Sequence, residues 1–370
     1  MDISEQINSI EKEIRETPYH KGTEQHIGML RARLARLKDR LIEEDSKKGG
    51  GGSKGYAVKK QGDATVVLVG PPSVGKSTLL NSLTNAKSKV APYAFTTVSV
   101  IPGMMIYKDA RIQILDVPGL IKGAEEGKGR GHEVLSVVRG CDLLLIITDI
   151  NDLEAFERIN NTLEKNGVRV NKIAPSVVVE KKSAGGIIIH SNIKQHLRKE
   201  AIKDAAQQFG LRNAEITIKE NLTFDSLIDA FSINRAYIPA IYVVNKQDLL
   251  KIDMHKRMGA NPFHPTGGNK AAPILISCEG AIGIDKLKEK VWEKLDFVRV
   301  YLVRSDEEPN FENSLIMKKG QTLYDVAKKI GTEFAGTKTV AKIWGAQAKF
   351  AGQSVSLTTP VQEGMQVRFV

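Results

Sequence analysis

A chain of 370 residues with 41% hydrophobic content is long enough for two or three domains around at least one substantial core, which excludes a disordered protein. Lysine and arginine number 54 against 43 aspartates and glutamates; the resulting +11 favours phosphate-rich or otherwise anionic partners, or is simply a soluble basic surface. Cys141 and Cys278 lie far apart without metal-ligand spacing, which excludes a disulfide framework or zinc site, and the longest apolar run, near Leu143 to Ile147, falls far below the ~20 residues that span a bilayer, so a soluble, unexported cytoplasmic chain is expected.

In chain order, Ile3, Ile7, Ile10 and Ile14 recur at helical spacing, and Ile27, Leu30, Leu34, Leu37 and Leu41 resume it after an interruption around Pro18 and Gly22. This predicts a helical hairpin over residues 1–46. Its apolar stripes can meet each other, the main domain or a partner helix, and packing within the chain is expected. Arg31, Arg33, Arg36, Lys38 and Arg40 make the second helix basic, either as a solvated face or as a surface for RNA. Residues 47–62 contain KKGGGGSKG, too glycine-rich and too polar to fold, and read as a linker. Beyond them, apolar runs begin at Ala64, Arg111, Leu143, Ala240 and Pro273 and alternate with helical stretches. That order predicts an α/β fold, a parallel sheet with helices on both faces.

Three of these strands run into motifs. After ATVVLV comes Gly70, Pro71, Pro72, Ser73, Val74, Gly75, Lys76, Ser77, which matches GxxxxGK[ST] and enters a helix at Thr78. Glycines let the backbone amides face phosphates, Lys76 neutralises the β and γ groups, and the Ser77 hydroxyl is a magnesium ligand. After RIQIL comes Asp116, Val117, Pro118, Gly119, in which Asp116 can hold Mg2+ through water and the Gly119 amide can sense the γ-phosphate. After AIYVV comes Asn245, Lys246, Gln247, Asp248. The Asp248 carboxylate suits the ring N–H and exocyclic amine of guanine, a donor pair that adenine lacks, so GTP and GDP are the expected ligands and an ATPase is disfavoured. Asn245 is expected to brace the loops and the Lys246 stem to lie along the base. Ser277 and Cys278, after PILI, stand where a short loop would meet the guanine carbonyl; Cys278 departs from the usual alanine.

With these elements in order, the chain resembles the developmentally regulated GTP-binding (DRG) proteins, Obg-related P-loop GTPases. APYAFTTVSVIPG, from Ala91 to Gly103, resembles their first switch, with Thr97 the better candidate for the magnesium-linked threonine and Thr96 the alternate. Leu120 to Leu145 resembles their glycine-rich second switch. The resemblance implies a G domain over 63–297 with an α/β insert at about 168–236, and a C-terminal TGS domain of β-grasp fold over 298–370. It assigns Lys76, Thr97 and Gly119 to catalysis, and Ser77, Thr97 and Asp116 to the metal.

Leu120 occupies the position where Ras-type GTPases place the glutamine that orients water. Leucine cannot do so, which leaves His132, Glu125, Glu126, a monovalent cation or a partner's residue as candidates and makes slow intrinsic turnover the expectation. Potassium is suggested by related GTPases, although Ser73 stands where those often carry asparagine. The implied role is a molecular switch coupled to ribosomes or RNA, with a regulatory protein as a further partner on the hairpin, insert or TGS domain and no membrane. Lys318, Lys319, Lys328, Lys329, Lys338, Lys342 and Lys349 make the tail basic, as a solvated surface or an RNA contact. The alternative is a scaffold that nucleotide merely stabilises.

Overall fold

The computed structural model describes residues 3–20, 22–48, 61–84, 100–117, 130–249, 272–345 and 348–370. Its helices are α1 (Ile3–Glu16), α2 (Glu24–Lys48), α3 (Lys76–Leu83), α4 (Arg130–Gly140), α5 (Ala155–Lys165), α6 (Lys199–Gln208), α7 (Phe224–Phe231), α8 (Ile284–Lys294), α9 (Leu323–Ile330) and α10 (Thr332–Thr337). Its strands are β1 (Ala64–Val69), β2 (Ile101–Tyr107), β3 (Ala110–Asp116), β4 (Leu143–Asp149), β5 (Val168–Val170), β6 (Val177–Lys181), β7 (Ile187–Ser191), β8 (Ala214–Ile218), β9 (Ala236–Ile238), β10 (Ala240–Asn245), β11 (Ile274–Leu275), β12 (Phe297–Leu302), β13 (Ser314–Lys318), β14 (Val340–Trp344), β15 (Gln353–Ser356) and β16 (Met365–Phe369). The chain divides into two compact units, Met1–Gly55 with Leu163–Tyr237, and Tyr56–Thr162 with Ile238–Val370.

The second unit contains a six-stranded sheet in the order β11-β10-β4-β1-β3-β2. The five strands from β11 to β3 pair in parallel, as their continuous apolar runs predict, and β1 is buried at every position. Both faces are covered. Val66 and Leu68 of β1 share a core with Leu79 and Leu80 of α3 and Leu287 and Val291 of α8. On the other face Tyr242 of β10 meets Phe156 of α5 edge to face, with ring centroids 5.2 Å apart. Each such side chain, once fully buried, contributes about 1.5–3 kcal/mol of transfer free energy. The expected PILIS strand shrinks to the two residues of β11. The sixth strand, β2, is antiparallel to β3 and was not among the predicted strands; Pro102 and Gly103 obscure it, and proline is tolerated there because β2 is an edge.

The tail forms a five-stranded sheet, β13-β12-β16-β14-β15, in which β12 and β16, its first and last strands along the chain, lie side by side in parallel with α9 packed on the sheet. This is the β-grasp arrangement expected of the tail. Helix α9 starts at a capping box: the Thr322 amide donates to the Asp325 carboxylate at 2.8 Å, satisfying a main-chain donor that the helix itself leaves free. Lys318 and Lys329, two of the lysines read as a solvated surface or an RNA contact, pair with Asp142 (3.4 Å) and Asp63 (3.0 Å) and stay partly exposed.

In the first unit α1 and α2 close on each other through Ile7, Ile10, Leu30 and Leu37, the stripes read from the sequence. Helix α2 runs through Lys48, two residues beyond the predicted hairpin limit. Its opposite face, Ala32 and Ala35, joins a core with α6, α7 and a three-stranded sheet in the order β6-β8-β7. Arg31 pairs with Asp225 and Lys38 with Glu11, so these two cations of α2 are engaged within the unit. Deeper, Asp229 lies between Arg169 at 2.5 Å and Arg235 at 2.8 Å, and Ser232 donates to the buried Asp39 at 2.5 Å. No described helix is long and apolar enough to cross a membrane.

Candidate nucleotide site

The carboxyl ends of β1, β3, β4 and β10 bring the motif residues to one edge of the six-stranded sheet, where open parallel sheets hold ligands. Ladder pairing aligns Leu68 with Asp116 and Asn245 with Asp149. From β1 the chain turns through Gly70 to Gly75 into α3. A β-carbon at Gly70 would stand 2.2 Å from the Ile147 carbonyl oxygen, and one at Gly75, where φ is +92°, would stand 2.4 Å from Asn245 Nδ2. Glycine is required at both positions by space, and at Gly75 also by backbone geometry. Ser73 is left-handed as well, at φ +63°.

The Lys76 ammonium folds back over this loop and donates to the carbonyls of Gly70 (3.0 Å) and Pro71 (2.7 Å). Burial pulls its pKa below the ordinary lysine value, and the Asp116 carboxylate opposes that shift. Ser77 Oγ donates to Asp116 Oδ2 at 2.8 Å. The other oxygen, Asp116 Oδ1, is buried and has no hydrogen-bond partner among the described residues. A buried carboxylate oxygen without a donor is costly, and a hydroxyl and a carboxylate are the hard oxygen groups that magnesium or its water shell takes. These residues fit Mg2+.

Asn245 ties the loops together: its Nδ2 donates to the Val74 carbonyl at 2.9 Å, and its Oδ1 accepts from the Cys278 amide at 3.1 Å. One buried side chain thus joins the phosphate loop to the loop after β11. Ser277 Oγ accepts from the Gly280 amide at 3.1 Å and shapes the same turn. Burial pushes the Cys278 thiol up to about 11. Lys246, at φ +63°, lays its ammonium 2.9 Å from Asp149 Oδ2. Asp149 was not among the predicted residues; the signal available was an acid ending the run LLLIITD, as Asp116 ends RIQILD. Gln247 and Asp248 follow in a single 3-10 turn, with Asp248 exposed.

Val117 is buried beside Asp116, and Pro72 and Thr78 are exposed at the loop and the first turn of α3. Thr96, Thr97, Pro118, Gly119, Leu120, Glu125 and Glu126 lie outside the described residues, and of His132 only the helical backbone is described. The structure therefore brings together the phosphate loop, Asp116, Asn245, Lys246, Asp248, Ser277 and Cys278.

Comparison with known proteins gives the same order of parts. The family described as "50S ribosome-binding GTPase" matches residues 65–182, the C-terminal region of that domain matches 184–297, and the TGS domain matches 298–370. An uncharacterised GTP-binding protein of Methanocaldococcus jannaschii is 44% identical over 365 residues, 98% of this chain and 92% of that one. Developmentally-regulated GTP-binding protein 2 of Homo sapiens is 35% identical over 372 residues, covering 100% of both chains, and its homologue in Dictyostelium discoideum is 36% identical with the same coverage. Full-length identity at this level, with the GTPase and TGS domains in the same order, establishes that this chain is a GTP-binding protein of the developmentally regulated GTP-binding (DRG) family.

Proposed function

We propose that the chain binds GTP with Mg2+, hydrolyses it slowly, and uses the two nucleotide states as a switch in its association with ribosomes or RNA. The observation that carries the site assignment is Asp116, with one oxygen held by Ser77 and the other buried without a partner among the described residues, next to the Lys76 ammonium. Mg2+, when bound, supplies charge neutralisation on the phosphates. Ser77 and Asp116 would hold it. The main-chain N–H groups of Ser73 to Ser77 face the phosphates, Pro71 and Pro72 having none to offer, and Lys76 exchanges its two carbonyl acceptors for phosphate oxygens. Asn245 keeps the phosphate and base loops in register, and Asp248 reads guanine, with Lys246 held by Asp149 beside it. Thr97 and Gly119 complete the assignment as the switch groups, and Leu120 leaves the attacking water without a side chain to orient it, which supports slow turnover; potassium or a partner then supplies the missing stimulus.

Domain limits follow from the same reading: hairpin 1–46, linker 47–62, G domain 63–297 with the insert at about 168–236, and TGS domain 298–370. The matching family's description as ribosome-binding supports the ribosomal partner. The test is sedimentation with ribosomes in the presence of GDP and of a non-hydrolysable GTP analogue, alongside nucleotide titration of Lys76→Ala and Asp248→Asn. A switch requires different ribosome affinities in the two states. Equal association would leave only the scaffold, and unchanged GTP affinity in Lys76→Ala would remove the site.

A further inference from the structure

The insert carries a concave pocket of about 790 Å³, remote in sequence from every nucleotide motif. Its size is that of a preformed ligand site. Two chemistries line it. Ile189 of β7, with Ile193 and Leu197 of the segment after it, supplies the accessible aliphatic walls, and Ile202 of α6 and Ile218 of β8 lie fully buried beneath them in the unit's core. Lys194, Lys199 and Lys219 supply the cationic part, all three exposed and none in an ion pair among the described residues. No carboxylate among the described residues lines the pocket.

The walls are held in place before any ligand arrives. Gln195, in the loop after β7, donates to the Glu220 carbonyl at 2.8 Å and accepts from the Leu222 amide at 3.1 Å, which pins that loop to the exit of β8. Strand β7 pairs only with β8 among the described strands, so its other edge offers main-chain donors and acceptors. Residues from both faces of β7 line the pocket, Ile189 from the face shared with the core and His190 from the opposite one. The pocket therefore reaches around the end of a free strand edge.

We propose that this pocket docks an extended acidic peptide of a protein partner, laid along β7, with aliphatic side chains on Ile189, Ile193 and Leu197 and carboxylates on Lys194, Lys199 and Lys219. An extended chain presents side chains alternately to two sides, so one short segment can offer both aliphatic groups and carboxylates to a lining that holds both aliphatic residues and lysines. Nucleic acid would use the lysines but leave the aliphatic walls unfilled, and among the described residues of the lining His190 is the single ring on which a base could stack, with no arginine plane beside it. The inference goes beyond the nucleotide switch and does not depend on it.

The experiment uses the full chain and fluorescence anisotropy with four labelled probes: a short peptide of alternating glutamate and leucine, its glutamine–leucine and glutamate–serine counterparts, and an oligouridylate of matched length. Saturable binding of the glutamate–leucine peptide is expected, at least roughly tenfold tighter than either counterpart. The triple variant Lys194→Glu, Lys199→Glu, Lys219→Glu should weaken it by about the same factor or more, with circular dichroism and GTP titration unchanged. Ile193→Ser, at the pocket's exposed rim, should weaken it without altering charge. Absence of saturable binding, equal binding of the glutamate–serine peptide, or indifference to the triple variant would each overturn the proposal. So would tighter binding of the oligouridylate that the triple variant abolishes, since the pocket would then be a nucleic-acid surface.

Discussion

The nucleotide site and the hairpin–insert unit hold their parts by different means. In the nucleotide site the main chain does most of the holding: Lys76 rests on two carbonyls, Asn245 joins a carbonyl to an amide, and Gly70 and Gly75 admit neighbours that any side chain would displace. In the hairpin–insert unit side chains do it, above all the Arg169–Asp229–Arg235 cluster. A site built from main chain depends on spacing along one or two segments. A unit built from paired side chains depends on groups that meet only after folding, and its weak point is the removal of a charge whose partners stay buried.

The largest effect expected from that difference follows Asp229→Ala. Arg169 and Arg235 retain only 14% and 11% side-chain exposure, so the variant leaves two guanidinium groups without their shared carboxylate inside the unit. Breaking a buried pair from one side costs about 3–5 kcal/mol. Urea denaturation should show this loss, while GTP affinity of the folded fraction should stay near the parent value. A loss below about 1 kcal/mol would mean that the cluster is solvated and that the contrast between the regions is wrong.

Gly75→Ala tests the other side. The new methyl group would meet Asn245 Nδ2 at 2.4 Å and hold a residue at φ +92°. Either the loop shifts or Asn245 releases Val74, and GTP affinity should fall by roughly a hundredfold or more with circular dichroism preserved. Binding of the acidic peptide to the insert should not change.

How much of this was legible beforehand depended on the same distinction. The phosphate loop could be read because its chemistry sits in consecutive residues at fixed spacing, and the hairpin because Ile7, Ile10, Leu30 and Leu37 keep a helical period. Asp149 left only a faint signal, an acid ending the run LLLIITD, which gains a role once the pairing of β4 with β10 sets it beside Asn245 and Lys246. Strand β2 was hidden by Pro102 and Gly103, residues that an edge accepts and a central strand does not. The pocket was beyond reach, since Ile189, Lys199 and Lys219 come from a strand, a helix and a strand exit that only the β6-β8-β7 sheet with α6 brings together.

Cys278 gives a chemical measure of how closed the base-side loop is. With burial raising the thiol from the model-compound value of 9.0 to about 11, the thiolate at pH 7–8 is scarcer than in a free cysteine by about a hundredfold. Alkylation followed by peptide mass mapping should be slow at neutral pH and accelerate only as pH approaches 11. Rapid labelling of Cys278 at pH 7 would show a loop far more open than its hydrogen bond from the Cys278 amide to Asn245 implies.

The smallest effect is expected where the TGS domain meets the G domain, at Lys318 and Lys329. Both are ion pairs like those of the Asp229 cluster, yet their side chains are 47% and 41% exposed, and their loss strands no buried charge, although Lys329 also donates to the Ile316 carbonyl at 2.7 Å. Asp142 still accepts from the Thr65 amide at 3.0 Å, and Asp63 still accepts from the Arg111 amide at 3.0 Å, so each carboxylate keeps a main-chain donor after the lysine is gone. Lys318→Ala and Lys329→Ala should therefore each cost no more than about 1 kcal/mol, a difference that shrinks further in high salt. Thermal melts at low and high ionic strength measure both quantities. A cost that matches Asp229→Ala, or one that salt leaves untouched, would place these lysines among the buried pairs and would mean that the domain junction is held by charge rather than by the shared core of Trp292, Phe297 and Ile316.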